Sequence, residues 1–222
     1  MAMQAKYRSD YVGEFVILET RWSGGKKQQT REWIANPIEN RHISGRAACI
    51  GTTLDTHKFD FTRLQRHRGG LLGSKKLQTY GTGLIASQMR LDFAVETVPE
   101  KLQGMIENKY SEDNVVYTSA RNCIQNPGNF YLIPYNPHLL DISTVVYLAA
   151  FDNHKEIFLL GYNRDVQVGK TDWHLQLHSV MQAYSATKFW FVGESTNMHE
   201  SWFEFANAEP MTYRKFISYC DV

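Results

Sequence analysis

The 222-residue chain has 43% hydrophobic residues, 21% charged residues and a formal net charge of +1. This composition excludes a disordered chain, and the charge excludes a global field that would attract nucleic acid or an anionic membrane. No stretch approaches the roughly 18 apolar residues of a membrane span, and the polar N-terminus lacks the apolar core of a signal peptide. We therefore expect a soluble, cytoplasmic protein with no membrane partner.

The first 45 residues are predicted to be β-rich. Glu14–Thr20 (EFVILET) has the composition of a strand, and Gln28–Ala35 (QQTREWIA) can pair with it across a glycine-containing turn. Asn36-Pro37 then ends the pattern. Residues 1–45 are expected to form a β-rich extension that packs on the main domain.

From residue 46 onward, short apolar runs alternate with helical segments. Strands are predicted at Ala47–Ile50, Leu91–Val95, Asn114–Thr118, Phe130–Ile133, Glu156–Leu160 and Lys188–Val192. Helices are predicted at Phe59–Arg66, Pro99–Asn108, Ile142–Phe151, Asp172–Ala186 and Thr212–Tyr219, with a glycine turn at Tyr80–Gly83. Strands that alternate with helices indicate βαβ units. The predicted fold class is α/β, a mostly parallel Rossmann-like three-layer sheet over residues 46–222 with an N-terminal β hairpin.

Cysteine usage gives little support to metal or redox chemistry. Cys49, Cys123 and Cys220 are far apart and have no zinc-motif spacing. We expect reduced thiols, with Cys123 as a buried small residue, and we predict no metal site.

Ligands of open parallel α/β sheets bind outside the carboxyl ends of the strands. Glycines and small polar residues follow four of the predicted strands here: Gly51, Thr52, Thr53 and Asp55; Thr118, Ser119, Arg121 and Asn122; Gly161, Asn163, Arg164 and Asp165; Gly193, Glu194, Ser195 and Asn197. Such repetition predicts a binding site at this edge. Individual residues keep alternatives: Gly51 could simply end its strand, Asp55 could cap a helix, and Arg121 could pair with a phosphate or lie on the surface.

A local excess of basic residues extends from Lys58 to Lys76. Arg68, Lys75 and Lys76 of this run are candidate phosphate ligands, and a solvated loop is the equal alternative. His174 and His178 are four residues apart and share a helix face. A metal pair would need a third ligand that the pattern does not supply, so a general base is the better interpretation.

The segment Ser143–Asp165 carries a family resemblance. It combines a helix that ends in small residues, an acidic residue and an apolar strand that ends in Leu-Leu-Gly-Tyr-Asn. This arrangement resembles a recurring segment of the Rossmann-like sialyltransferases and of the related group that includes the archaeal hydroxymethylpterin pyrophosphokinase. Upstream, Ala47–Leu64 is similar in outline to the opening strand, turn and helix of those proteins, with Gly51-Thr-Thr-Leu-Asp55 where they have Gly-Asn-Gly-Pro-Ser.

The resemblance implies a role for several of the residues above. It implies that Gly51, Thr52 and Thr53 face nucleotide phosphates, that Gly161 and Asn163 face ribose or base, and that His178 or His174 activates the acceptor. Asn163 stands where the family has an acidic residue, with Asp165 two positions on. The overall texture also resembles phage-encoded proteins, which would imply the host cytoplasm.

Three functional hypotheses follow. The four loops and the Ser143–Asp165 segment favour a nucleotide-utilising transferase, specifically a glycosyltransferase, for which a nucleotide sugar is the candidate co-substrate; no cofactor is assigned. The departures in the turn and the N-terminal hairpin favour a non-catalytic assembly protein that forms a homo-oligomer through that hairpin. The basic run alone suggests nucleic-acid binding or modification, which is not favoured.

Overall fold

Eight short parallel strands form the central sheet of the computed structural model, which describes residues 3–7, 14–35, 45–52, 58–65, 77–163, 173–194 and 198–220. The strands are β3 (Arg46–Ile50), β4 (Gln78–Thr82), β5 (Phe93–Val95), β6 (Val115–Thr118), β7 (Tyr131–Leu132), β8 (Glu156–Leu160), β9 (Lys188–Val192) and β10 (Ala208–Met211). Their order in the sheet is β10-β9-β8-β3-β4-β5-β6-β7. The predicted fold class is thereby confirmed, and every described pairing in this sheet is parallel.

Helices cover both faces of the sheet. They are α1 (Thr62–Gln65), α2 (Gly83–Ala86), α3 (Pro99–Glu107), α4 (Tyr110–Asp113), α5 (Ala120–Gln125), α6 (Asp141–Phe151), α7 (Trp173–Ala183) and α8 (Tyr213–Cys220), with a 3₁₀ helix at Glu200–Glu204. One buried cluster packs α6, α7 and the 3₁₀ helix on what we call the first face of the sheet. A separate cluster packs α2, α3, α5 and α8 on the second face. Alternate strand residues point to opposite clusters, as a pleated sheet buried on both sides requires.

Helix α6 produces the reversal of strand order. From β3 the chain adds strands in one direction as far as β7, and α6 then returns it to β8 on the other side of β3. Ten of its eleven residues are buried, which agrees with the predicted crossover helix that is apolar on every side. Strands β3 and β8 therefore form the switch point, the place where such sheets bind ligands.

Strand β4 corrects the sequence-based prediction. A glycine turn was expected at Tyr80–Gly83, yet Gln78–Thr82 is a buried strand. A Cβ atom at Gly81 would lie 2.7 Å from Leu91 Cδ1, so the glycine permits close packing within the strand. Edge strand β10 (AEPM) was not predicted either, because it lacks β-branched residues and includes a proline that only an edge position tolerates.

The N-terminal hairpin forms a two-stranded sheet of its own. Strand β1 (Glu14–Ser23) pairs antiparallel with β2 (Lys26–Ala35), as predicted. Gly24 and Gly25 connect the strands with φ of 59° and 76°, the left-handed values that a two-residue hairpin turn requires. That residues 1–45 pack on the main domain stays a prediction.

A buried hydrogen-bonded triad joins β4 to the end of α6. The Tyr80 hydroxyl donates to Asp152 Oδ2 at 2.6 Å and lies 2.9 Å from His154 Nε2. All three residues are buried. Buried polar groups must hydrogen-bond to one another because water does not reach them, so removing one group leaves its partners buried without a hydrogen bond.

We expect Tyr80→Phe to lower the free energy of unfolding by about 1–3 kcal/mol, because Asp152 and His154 lose a shared partner. Urea denaturation measures the change. Tyr131→Phe is the matched control: Tyr131 is half-buried on β7, and its substitution should change stability by less than about 0.5 kcal/mol. Equal effects of the two substitutions would contradict a stabilising role for the triad.

Candidate functional site

The switch point brings together two of the predicted site glycines. The Gly51 N–H donates to the Leu160 carbonyl at 2.7 Å, which extends the pairing of β3 with β8 by one residue. A Cβ atom at Gly51 would lie 2.5 Å from the Gly161 carbonyl oxygen and 3.0 Å from Tyr162 Cδ2. Gly161 itself has φ of 73°, so the chain turns away from β8 in a conformation that favours glycine. The two strand ends thus meet backbone to backbone.

Tyr162 anchors this junction to α6. Its hydroxyl donates to the Ile142 carbonyl at 3.0 Å, and burial raises the pKa of Tyr162 well above its usual value. The Tyr162 ring also contacts Trp173 at the start of α7, with centroids 6.0 Å apart. Thr52 and Asn163, which flank the glycines, are half-buried. The glycine junction is therefore tied to α6 and α7. Folds of this class bind ligands in a crevice outside the carboxyl ends of the strands, and here Thr52 and Asn163 would border it.

Two buried hydroxyl groups on the first face have no hydrogen-bond partner among the described residues. They belong to Thr82, at the end of β4, and to Ser143, in the first turn of α6. Both elements reach the carboxyl edge of the sheet, next to the switch point. Buried polar groups are nearly always satisfied, so these two hydroxyls are candidates for contact with a ligand or an ordered water molecule.

Three histidines lie between α7 and the 3₁₀ helix on the same face. Ser201 Oγ lies 2.9 Å from His178 Nε2 and 2.6 Å from His199 Nδ1. The His174 ring packs against Trp173, His199 and Trp202, with centroids 4.1, 4.8 and 5.2 Å away. Sequence reasoning identified His174 and His178 but missed His199 and Ser201, since nothing in the residue spacing places the 3₁₀ helix beside α7.

The loop after β6 has a structural role in the described geometry. The Asn122 side-chain amide donates to Thr118 Oγ1 at 2.9 Å and to the Thr97 carbonyl at 3.0 Å. The Thr97 hydroxyl in turn donates to Asp141 Oδ1 at 2.7 Å, which ties β5 to the start of α6. Thr118 and Asn122 are buried in this network. Ser119 and Arg121 are more accessible, and that any of the four contacts a ligand stays a prediction.

The remaining predicted site residues lie outside the described part of the chain. They are Thr53, Asp55, Arg68, Lys75, Lys76, Arg164, Asp165, Ser195 and Asn197. Of the basic run, Lys58 is described, and its Nζ pairs with Glu194 Oε1 of the loop after β9 at 2.6 Å. This exposed pair connects the loop that follows β3 to the loop that follows β9 across the switch point.

The cysteines are unsuited to nucleophilic catalysis. All three are free and buried, and burial raises the pKa of Cys123 and of Cys220 to about 12. Since the thiolate is the nucleophile, such thiols are inert at neutral pH. Within the described ranges no group of three His, Cys, Asp or Glu side chains has a geometry that could hold a metal ion, and no helix there is long and apolar enough to cross a membrane.

No family model and no curated protein matches the chain. Among solved structures it is similar to the sialyltransferase CstII from Campylobacter jejuni, in complex with a substrate analogue, cytidine-5'-monophosphate, with a TM-score of 0.41. The identity is 12%, over 65% of this chain and 78% of that one. The likeness is a distant one of fold.

The glycine contact at the switch point predicts opposite effects for two alanine substitutions. Gly51→Ala places a methyl group against the Gly161 carbonyl, so we expect a loss of roughly 2 kcal/mol or more in unfolding free energy. Gly104→Ala, in α3 where nothing lies within 4 Å of the added atom, should gain about 0.5–1 kcal/mol from helix propensity. Urea denaturation of both variants tests this, and a stable Gly51→Ala variant would contradict the described contact.

Proposed function

We propose that this chain is a nucleotide-utilising transferase that moves a sugar from a nucleotide-sugar donor to an acceptor hydroxyl. The observation that carries the proposal is a juxtaposition on the first face of the sheet. The junction of Gly51 and Gly161, the unsatisfied hydroxyls of Thr82 and Ser143, and the three-histidine cluster all lie toward the carboxyl ends of neighbouring strands. A ligand crevice and a proton acceptor are the two parts that the reaction needs.

The crevice would hold the nucleotide phosphates. A parallel sheet places helix N-termini at this edge, and their unpaired N–H groups favour anions. Helix α6 begins here with Asp141, yet the Asp141 carboxylate accepts hydrogen bonds from the Thr97 N–H and hydroxyl at 3.1 and 2.7 Å. That arrangement turns its charge toward β5. Thr52 and Asn163 would contact the donor, and Arg68, Lys75 and Lys76 remain the proposed phosphate ligands.

His178 would accept the proton of the acceptor hydroxyl. The single Ser201 hydroxyl hydrogen can be donated to one histidine only, so the other ring must donate its own N–H to Ser201 Oγ. The tautomer of His178 is therefore coupled to that of His199 through Ser201. His178 would accept the proton of the acceptor hydroxyl as the acceptor oxygen bonds to the anomeric carbon of the sugar, while the bond from that carbon to the phosphate oxygen breaks and the nucleotide leaves.

Nucleotide binding itself can be tested at the unsatisfied hydroxyls. In calorimetric titrations with a panel of nucleotides and nucleotide sugars, we expect Ser143→Ala and Thr82→Val to weaken the binding of the best ligand by about tenfold. Unfolding free energy without ligand should be unchanged or higher, because an unsatisfied buried group is removed. Ser87→Ala is the control, since the exposed Ser87 hydroxyl bonds only within α2.

Two outcomes would contradict this assignment. If the variants gain stability but bind with unchanged affinity, the hydroxyls are not part of the donor site. If no nucleotide in the panel binds below millimolar concentration, and light scattering shows a discrete oligomer, the assembly hypothesis based on the hairpin replaces the transferase.

Catalysis can be tested separately from binding. With a donor identified by titration, His178→Gln should lower kcat by about 10²–10⁴-fold and leave donor affinity within about twofold, because only the proton acceptor is lost. His138→Asn is the control, as His138 is exposed and has a left-handed φ of 54° that asparagine tolerates. Wild-type turnover by His178→Gln would overturn the role of this histidine.

A further inference from the structure

A groove of about 890 Å³ lies on the second face of the sheet, away from the crevice and the histidines. Helices α2, α3 and α4 form its walls. Its head contains Gly83, Glu96 and Lys101, and its floor contains Leu84, Met89 and Met105. Sites for small molecules fall in this size range, with an apolar lining and a few convergent polar groups.

Glu96 is the unusual feature of the groove. It directly follows β5 and is 1% exposed. Its Oε1 accepts the Val98 N–H at 2.9 Å, whereas its Oε2 lies 3.7 Å from Lys101 Nζ, which is beyond hydrogen-bond distance. One carboxylate oxygen therefore stabilises the start of α3, and the other has an ion-pair partner without a direct hydrogen bond to it. Burying a carboxylate costs free energy. The hydrogen bond to the Val98 N–H does not by itself require a charge, because a neutral side-chain oxygen could accept it.

Two glycines leave room for this arrangement. A Cβ atom at Gly83 would lie 2.3 Å from Glu96 Oε2, so the carboxylate occupies the space that a side chain would take. Gly104 lies in the middle of α3 and lines the groove, and nothing is within 4 Å of an added Cβ atom. Glycine at such a helix position costs about 0.5–1 kcal/mol relative to alanine. Because Gly104 has no side chain, the side of α3 that lines the groove leaves space for a ligand.

The chemistry of the walls selects the type of ligand. At the head, a carboxylate accepts hydrogen bonds and an ammonium group donates them, side by side. The apolar floor consists of Leu84, which is exposed, and of Met89 and Met105, which are buried. At the foot, the groove is lined by Arg90, which donates to Asn114 Oδ1 at 3.0 Å, and by Lys109 and Asp113. A phosphate at the head would meet the Glu96 carboxylate, so an anionic nucleotide is disfavoured there.

We propose that this groove is a second binding site, for a neutral saccharide. A sugar hydroxyl can donate to Glu96 Oε2 and accept from Lys101 Nζ in the same place, because a hydroxyl does both. The carbon-hydrogen face of the sugar ring would pack on Leu84 and the methionines, and the side-chain amide of Asn108 would reach another of its hydroxyls. The site is separate from the proposed nucleotide crevice and does not depend on transferase activity.

The test uses the intact chain and four probes: glucose, galactose, N-acetylglucosamine and lactose. Saturation-transfer NMR and calorimetry should detect binding of at least one of them, with a Kd of millimolar order or tighter. Gly104→Phe, which fills the groove, should weaken that binding by at least tenfold. Gln103→Phe is the matched control, since Gln103 lies next to it on α3 and is exposed, where it bonds to Glu107.

The role of Glu96 has a distinct pH signature. Burial raises the pKa of the Glu96 carboxyl; Asp141 of α6 raises it further, and Lys101 of α3 lowers it. Since the carboxylate form accepts the sugar hydroxyl, affinity should fall with decreasing pH through that raised pKa, above the usual range of glutamate. Glu96→Gln keeps an oxygen for the Val98 N–H, should bind at least fivefold more weakly at neutral pH, and should lack this pH dependence.

Stability gives a check that needs no ligand. A carboxyl whose pKa is raised on folding binds its proton more tightly in the folded state. The unfolding free energy of the wild type should therefore fall relative to that of Glu96→Gln as pH rises through the interval between the usual and the raised pKa of Glu96.

The saccharide proposal is overturned if none of the four sugars binds at 50 mM, about the weakest detectable range, or if Gly104→Phe binds like wild type. Nucleotide titrations of the same variants should be unchanged, so that failure of this proposal and failure of the proposed transferase are distinguishable.

Discussion

The backbone contact between Gly51 and Gly161 is the constraint on which the rest of the sheet depends. Strands β3 and β8 are adjacent although more than a hundred residues separate them. At their ends, a Cβ atom on Gly51 would lie only 2.5 Å from the Gly161 carbonyl oxygen. Every other described strand of this sheet is placed outward from this pair, four on the β4 side and two on the β9 side. A side chain at residue 51 would separate the central pair and disturb the sheet on both sides.

Helix α6 must then satisfy two demands at once. It covers β3, β4, β5 and β8 on the first face, and its N-terminus holds Tyr162 and Thr97 through the Ile142 carbonyl and the Asp141 carboxylate. A helix that is buried on nearly all sides cannot be amphipathic, which explains why its sequence shows no polar stripe. Its few polar atoms are correspondingly informative: those of Asp141 are paired with Thr97, and the Ser143 hydroxyl has no partner among the described residues.

How much could be predicted from the sequence depended on how local the signal was. The crossover helix and the strand Glu156–Leu160 were predicted almost residue for residue, because continuous apolar runs of those lengths have few alternatives. Strand β4 was missed, since Gly81 suggests a turn until Leu91 is known to pack against it. Reasoning from the sequence also placed Thr118 and Asn122 in a ligand loop, and their mutual hydrogen bond is a contact between side chains that strand patterns do not encode.

The candidate site shows the same limit more strongly. His174 and His178 were identifiable because helical spacing is local, whereas Ser201 and His199 reach them only through the packing of the 3₁₀ helix. Glu96 was not identified at all, since one acidic residue before a helix is ordinarily a surface residue or a cap. What distinguishes it is burial against Gly83, together with the open side of α3 at Gly104.

The two faces of the sheet consequently differ in chemistry. On the first face the groups near the carboxyl edge are imidazoles, two of which are linked through Ser201. On the second face the corresponding group is a carboxylate whose pKa burial raises, in a groove with an apolar floor. Strand β4 separates β5, which carries Glu96, from β3, so the groove head is roughly 10 Å from the switch point. The two proposed sites, one above the glycine junction and one between α2 and α3, therefore have no residue in common.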